Sequence, residues 1–189
     1  MNGFHFTDRM RDVCRDMAER LPELAHVDMS RVAVSFSQAR KPVLHGLYAK
    51  ITPMRFQGGA LHEERSGRRF TVQRVFDAEG REQLYLLSFY LPRFMETDLE
   101  EKLVTVLHEL WHISPEFNGD LRRFPGRCYA HTSSQQDFDR EILKLARRWL
   151  AGNPPLEKYG FLRLGFRQLH QQLGPVYGAR IRQPKLIRA

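Results

Sequence analysis

Five residues in the middle of the chain, His108-Glu109-Leu110-Trp111-His112, have the types and spacing that suit a divalent metal ion. On a helix, residues four apart project from one face at neighbouring heights, so both imidazoles can bind a single ion. Zinc accepts such nitrogens at about 2.0–2.1 Å in tetrahedral geometry. Glu109, beside the first imidazole, is placed to reach a zinc-activated water rather than the ion itself. Water acidified toward neutrality, with a carboxylate to take its proton, is a nucleophile for hydrolysis.

A catalytic zinc needs a third protein ligand and an open fourth position. The extended form of the motif places Gly and His at fixed later positions, but Pro115 and Asn118 stand there. Four candidates follow: Glu116, Asp120, Glu141 and His131. Glu116 and Asp120 come within a short turn of the motif, where surface acids are common. Glu141 falls on the next expected helix, where some zinc peptidases carry a ligand. His131, in the run Cys128-Tyr129-Ala130-His131, is favoured, because it supplies imidazole chemistry and has ample chain to fold back onto the pair. A thiolate ligand at Cys128 would instead mark a structural site.

The element that must position the pair is the clearest helix in the chain, expected over residues 97–114. Thr97 and Glu100 have capping-box spacing. Leu99, Leu103, Val106, Leu107, Leu110 and Ile113 form its core stripe, and Pro115 stops it. His108 and His112 lie off the main seam of that stripe, toward a cleft.

An amphipathic helix is expected earlier, with Phe6, Met10, Val13, Cys14, Met17 and Leu21 on one face, capped by Thr7 or Asp8 and ended by Pro22. Alternation of Val32, Val34 and Phe36 predicts a half-buried strand, and residues 47–51 a second one. The stretch from Gly58 to Arg69 reads as a loop. Residues 69–91 read as a β-hairpin around the turn signal Asp77-Ala78-Glu79-Gly80. A further helix is expected over 137–150, ended by Gly152-Asn153-Pro154-Pro155. Beyond it, Leu162, Leu164 and Phe166 alternate like a strand, while 168–173 suits a helix equally well.

The stretch from His108 to Asp120, followed by Arg122-Arg123-Phe124-Pro125-Gly126-Arg127 and Tyr129-Ala130-His131, resembles a group of metallopeptidases found in bacteria and phages. The order of elements is similar to that of the compact SprT-like zincins. The resemblance implies His108, His112 and His131 as zinc ligands and Glu109 as general base. It implies an α+β fold: a compact zincin-like domain with an N-terminal helix, a small β-sheet, the motif helix, a further C-terminal helix and a basic tail. In that architecture a sheet-edge strand beside the active helix pairs with extended peptide. The 69–91 hairpin is the expected source of the edge. Among Tyr85, Tyr90, Tyr129 and Arg127, Tyr129 is the candidate for contacting an oxyanion or substrate.

The whole chain sets the remaining bounds. Its 189 residues allow one domain with a sizeable core, and 42% hydrophobic residues exclude charge-driven disorder. No apolar run is long enough to span a bilayer, no secretory leader is evident, and two cysteines make no disulfide framework. A cytoplasmic protein without membrane contact is therefore expected. The net charge of +8 is uneven: from Arg140 onward eleven Lys/Arg face only two acids, Glu141 and Glu157. Residues 1–151 are expected to form the metallopeptidase domain, and 152–189 a basic extension packed on it or following it. The leading expectation is a zinc peptidase acting on protein or peptide. The alternatives are a zinc-stabilised module that binds nucleic acid through the basic C-terminal segment, and an inactive zincin scaffold.

Overall fold

In the computed structural model, residues 3–39, 46–123 and 135–189 are described. A two-residue strand, β1 (Phe4–His5), runs directly into helix α1 (Phe6–Arg20). Strands β2 (Val32–Gln38), β3 (Ala49–Pro53), β4 (Glu63–Arg65), β5 (Arg68–Val72), β6 (Val75–Phe76), β7 (Glu82–Gln83) and β8 (Tyr85–Leu91) follow. Helices α2 (Leu99–Trp111), α3 (Gln135–Ala151), α4 (Leu156–Tyr159) and α5 (Phe166–Leu173) come next, with β9 (Val176–Tyr177) and β10 (Leu186–Arg188) after them.

The apolar stripe of α1 is buried as its spacing predicts: Phe6, Met10, Val13, Cys14 and Met17 have no exposed surface. Its cap differs from expectation. His5 Nδ1 accepts from the Asp8 amide at 3.3 Å, because β1 leads straight into the first turn. Thr7 lies inside that turn, where its Oγ1 accepts from the Ala179 amide at 2.9 Å.

The main sheet has the order β2-β8-β3, with β8 parallel to β2 and antiparallel to β3. The expected 69–91 hairpin is therefore not formed as a whole. β5 and β8 do not pair, and only β6 and β7, two residues each, close around the Asp77 turn. Asp77 Oδ1 stabilises that turn by accepting from the Glu79 and Arg81 amides at 3.1 and 2.7 Å. The reason is hydrophobic: β8 is apolar on both faces, and the central position covers both, which a charged partner such as β5 cannot do. β2 is likewise more covered than a half-buried strand, with Val32, Ala33, Val34 and Ser35 all buried.

The inner face of the sheet carries Val34, Phe36, Ile51, Leu87 and Phe89, packed with α1, α2 and α3 around Phe6 and Phe94. The outer face carries Ala33, Leu86 and Met54, a second small cluster closed by Val72, Val75 and Ile181. On that face Ser35 and Ser88 lie opposite each other, with Thr52 diagonal to Ser88. The segment 179–183 is bonded to them: the Ile181 amide donates to Ser35 Oγ at 2.8 Å, and Gln183 links Ser88 Oγ and Thr52 Oγ1 at 3.2 and 2.9 Å. The outer edge of β2 is closed by Phe36 N–H donating to Ala179 C=O at 3.1 Å.

The stretch 58–69, expected as a loop, contains a tight hairpin. β4 and β5 are joined by Ser66 and Gly67, both with positive φ, as a two-residue primed turn requires. β10 adds to the other side of β5, giving a second sheet of order β10-β5-β4. The alternation at 162–166 does not make a strand: residues Gly160–Arg163 form a 3-10 turn and α5 follows. Tyr159, Phe161, Leu162 and Leu169 from this region join the main core. The result is a compact α+β fold, with five α-helices among the described residues, none long and apolar enough to cross a membrane.

Candidate metal centre

α2 starts two residues later than its spacing suggested. Asp98, not Thr97, is its cap, with Oδ1 accepting from the Glu101 amide at 2.8 Å. Thr97 Oγ1 instead donates to Phe94 C=O at 2.9 Å. The helix also ends earlier, at Trp111, with His112 as C-cap. A returning loop takes over its last carbonyls: the Arg122 amide donates to His112 C=O at 2.7 Å and Arg122 Nε to Trp111 C=O at 2.8 Å. The Arg122 guanidinium lies over the Trp111 ring at 4.4 Å. A cation there also complements the negative end of the helix dipole.

Within the last turn, His108 Nε2 and His112 Nε2 stand 3.0 Å apart. Nitrogens each about 2.0–2.1 Å from one tetrahedral ion stand about 3.3 Å from each other. The pair therefore fits two adjacent positions on one zinc with a few tenths of an ångström of movement. Phe138 of α3 packs against both rings, edge-on to His108 at 5.0 Å and stacked on His112 at 6.1 Å. His112 is 9% exposed and Phe138 3%. His112 is thus buried in the α2–α3 seam, with His108 half-buried beside it. Phe138 lies on the apolar stripe of α3 with Ile142, Leu145, Ala146 and Trp149, a spacing that marks it only as a core residue.

Glu109 projects toward β3. Its Oε2 accepts from the Ile51 amide at 2.6 Å. In β3 the even-numbered residues exchange bonds with β8, as the Tyr90 N–H to Tyr48 C=O and Met54 N–H to Leu84 C=O bonds show. The Ile51 amide therefore points out of the sheet, toward its free edge. This corrects the expected source of the edge: β8 is central, and β3 is the edge strand beside α2. Burial raises the Glu109 carboxyl above its ordinary pKa, opposed by the Ile51 amide and the Lys50 charge.

The loop after α2 is tightly built. Tyr85 Oη accepts from the Gly119 amide at 3.0 Å and donates to Asp120 C=O at 2.8 Å, so this phenol serves the loop. Burial pushes its pKa up to about 12. Gly119 has φ of 89°, and a Cβ there would meet Arg55 Cγ at 2.5 Å. The Asp120 carboxylate accepts from the Gly58 and Leu121 amides and from two Arg123 nitrogens, at 2.8–2.9 Å. Against its burial, these partners hold Asp120 below the usual carboxylate range.

The third-ligand candidates separate accordingly. Asp120 is committed to the loop, and Glu116 accepts from Asn118 Nδ2 at 2.8 Å. Glu141 is 61% exposed and pairs with Lys144 Nζ at 2.7 Å. Among the described residues, no group of three or more His, Cys, Asp or Glu is arranged to hold a metal ion. His131 and Tyr129, with Cys128 and Arg127, lie outside the described residues. The described part of the site therefore consists of the two imidazoles, the Glu109 carboxylate, the β3 edge and Phe138. The Ile51 amide carried no signal in residue type; only the strand's register reveals it. Comparison with protein-family models, curated proteins and solved structures gave no match.

Proposed function

We propose that the chain is a zinc-dependent metallopeptidase of zincin-like architecture, with His108, His112 and His131 as zinc ligands and Glu109 as general base. The observation that carries this reading is the pair of imidazole nitrogens, 3.0 Å apart, with the carboxylate of the intervening Glu109 held against a sheet edge. Bound there, zinc would supply Lewis acidity that brings the pKa of water toward neutrality. The residues of the chain do the rest. Glu109 Oε2 is held by the Ile51 amide, which leaves Oε1 to take a proton from the attacking water and return it to the leaving amine. The raised proton affinity of this carboxyl suits that exchange. β3 offers the outward groups of Ala49 and the Ile51 C=O to an extended peptide, the Ile51 N–H being held by Glu109, and Tyr129 is assigned to the oxyanion.

The test is zinc content and hydrolysis of a mixed peptide library, measured on the same preparations. The wild-type chain should hold about one zinc, and His108→Ala and His131→Ala should lose it. Glu109→Gln should keep zinc while hydrolysis falls by about two to four orders of magnitude. Hydrolysis that persists in Glu109→Gln, or a wild-type chain without zinc affinity, would overturn the mechanism. Unchanged zinc in His131→Ala moves the third ligand to Glu141, Glu116 or Asp120. Zinc without any hydrolysis leaves the scaffold reading.

A further inference from the structure

We propose that the exposed sheet β10-β5-β4 binds the backbone of single-stranded nucleic acid through Arg65, Arg68 and Arg188. The inference does not depend on the zinc reading. Strand register puts these three side chains on one face: Arg65 lies opposite Arg68, and Glu63, Phe70 and Arg188 align across the three strands. Like charges directly opposite in an antiparallel pair weaken the sheet, and an anion between them removes that penalty. Glu63 pairs with Arg65, but Arg68 and Arg188 have no side-chain partner among the described residues. The Arg65 guanidinium is held 5.9 Å over the Phe56 ring, which orders it in advance.

The sheet also joins charges that the sequence keeps far apart. β4 and β5 come from the near-neutral part of the chain and β10 from the basic part, so their pairing concentrates cations that neither segment has alone. All three residues of β10 are exposed, with Leu186 at 46%. Val72, on the same face opposite Leu186, packs on the outer cluster of the main sheet, so the apolar surface left to a base is half-buried Phe70 with Leu186. Guanidinium groups fork onto phosphate and carboxylate oxygens alike, and it is the Phe70 ring between them, on which a base can stack, that favours a phosphodiester strand over an acidic peptide here. An aromatic ring between cations suits a single strand, whose bases are free to stack on it.

Fluorescence anisotropy of a labelled oligothymidylate of about 16 nucleotides, titrated with the full chain at about 50 to 200 mM KCl, tests this. Replacing Arg65, Arg68 and Arg188 together by Ala should weaken binding by about tenfold or more. It should also flatten the slope of log K against log salt by about 2, the share of three phosphate contacts. The triple Lys variant should bind within a few fold of wild type, which separates lost charge from lost fold. The pair Arg9→Ala/Lys158→Ala, at a different surface, should bind as wild type. No binding by wild type, an unchanged triple Ala variant, or equal loss in the Arg9/Lys158 pair would overturn the proposal. Tighter binding of a duplex of the same length overturns the single-strand assignment. Equal loss of binding to phosphatidylserine vesicles would make the surface a lipid-headgroup site instead.

Discussion

Phe138 is the residue that most directly links the core to the histidine pair. It comes from α3, is almost wholly buried, and contacts both imidazoles. Removing the ring leaves a cavity at the α2–α3 seam and frees the histidines to turn. Phe138→Ala should therefore cost about 3 kcal/mol or more in urea unfolding, and Phe138→Leu clearly less. Equal stability of wild type and Phe138→Ala would mean that the seam closes without the ring. At this scale the sequence was readable where residue type carries the signal: His108, Glu109 and His112 stand out by spacing alone. It was silent where a backbone group or a packing register does the work. The Ile51 amide and the placement of Phe138 on the histidines are of that kind.

Among the elements, the helices were legible because a 3.6-residue period is local. α1 and α3 lie close to where their apolar stripes put them, although the caps of α1 and α2 shifted by one or two residues. Strand partners were not legible, because pairing is long-range. β8 follows β7 in sequence yet pairs with β2 and β3, and the 58–69 loop conceals the turn between β4 and β5. The short β6-β7 hairpin depends on ions as well as on its turn. Glu82 bonds Arg74 through both oxygens at 2.7 Å and Arg55 Nη2 at 2.5 Å, tying the hairpin to the residues after β3. The Arg74 bonds first, then Arg55, hold Glu82 at about 2, against its partial burial. Because the folded value is depressed, its contribution is full above the unfolded value of 4.5 and is lost as pH falls toward 2. Stability should therefore drop on the order of 2 kcal/mol more in wild type than in Glu82→Gln between about pH 5 and 2. Parallel pH curves for the two proteins would show that the ion cluster does not contribute.

Across the whole molecule, the basic C-terminal quarter is woven into the fold. β9 pairs with β1, β10 with β5, and residues 179–183 cover the outer face and the β2 edge. Periodicity could not reveal this, because the segment 178–185 forms no regular element and takes its partners from the N-terminal half. Deleting residues 176–189 removes the Phe36–Ala179, Ala179–Thr7 and Ile181–Ser35 bonds and uncovers Ala33, Leu86 and Met54. At about 1 kcal/mol per bond, Tm should fall by about 10 °C. A truncated chain melting at the wild-type temperature would refute that dependence.

The bond between Thr7 and Ala179 joins residues 172 positions apart, and those between Ser35 and Ile181 span 146. During synthesis the ribosome delivers β2, β3 and β8 well before the segment that covers them. Until residue 181 has emerged, the outer face of the sheet and the edge of β2 remain open to any passing strand. Such unpaired edges invite wrong partners, and closing long loops is slow. The nascent chain thus passes through an interval in which chaperones or neighbouring polysomes compete with its own C-terminal segment for the same edge.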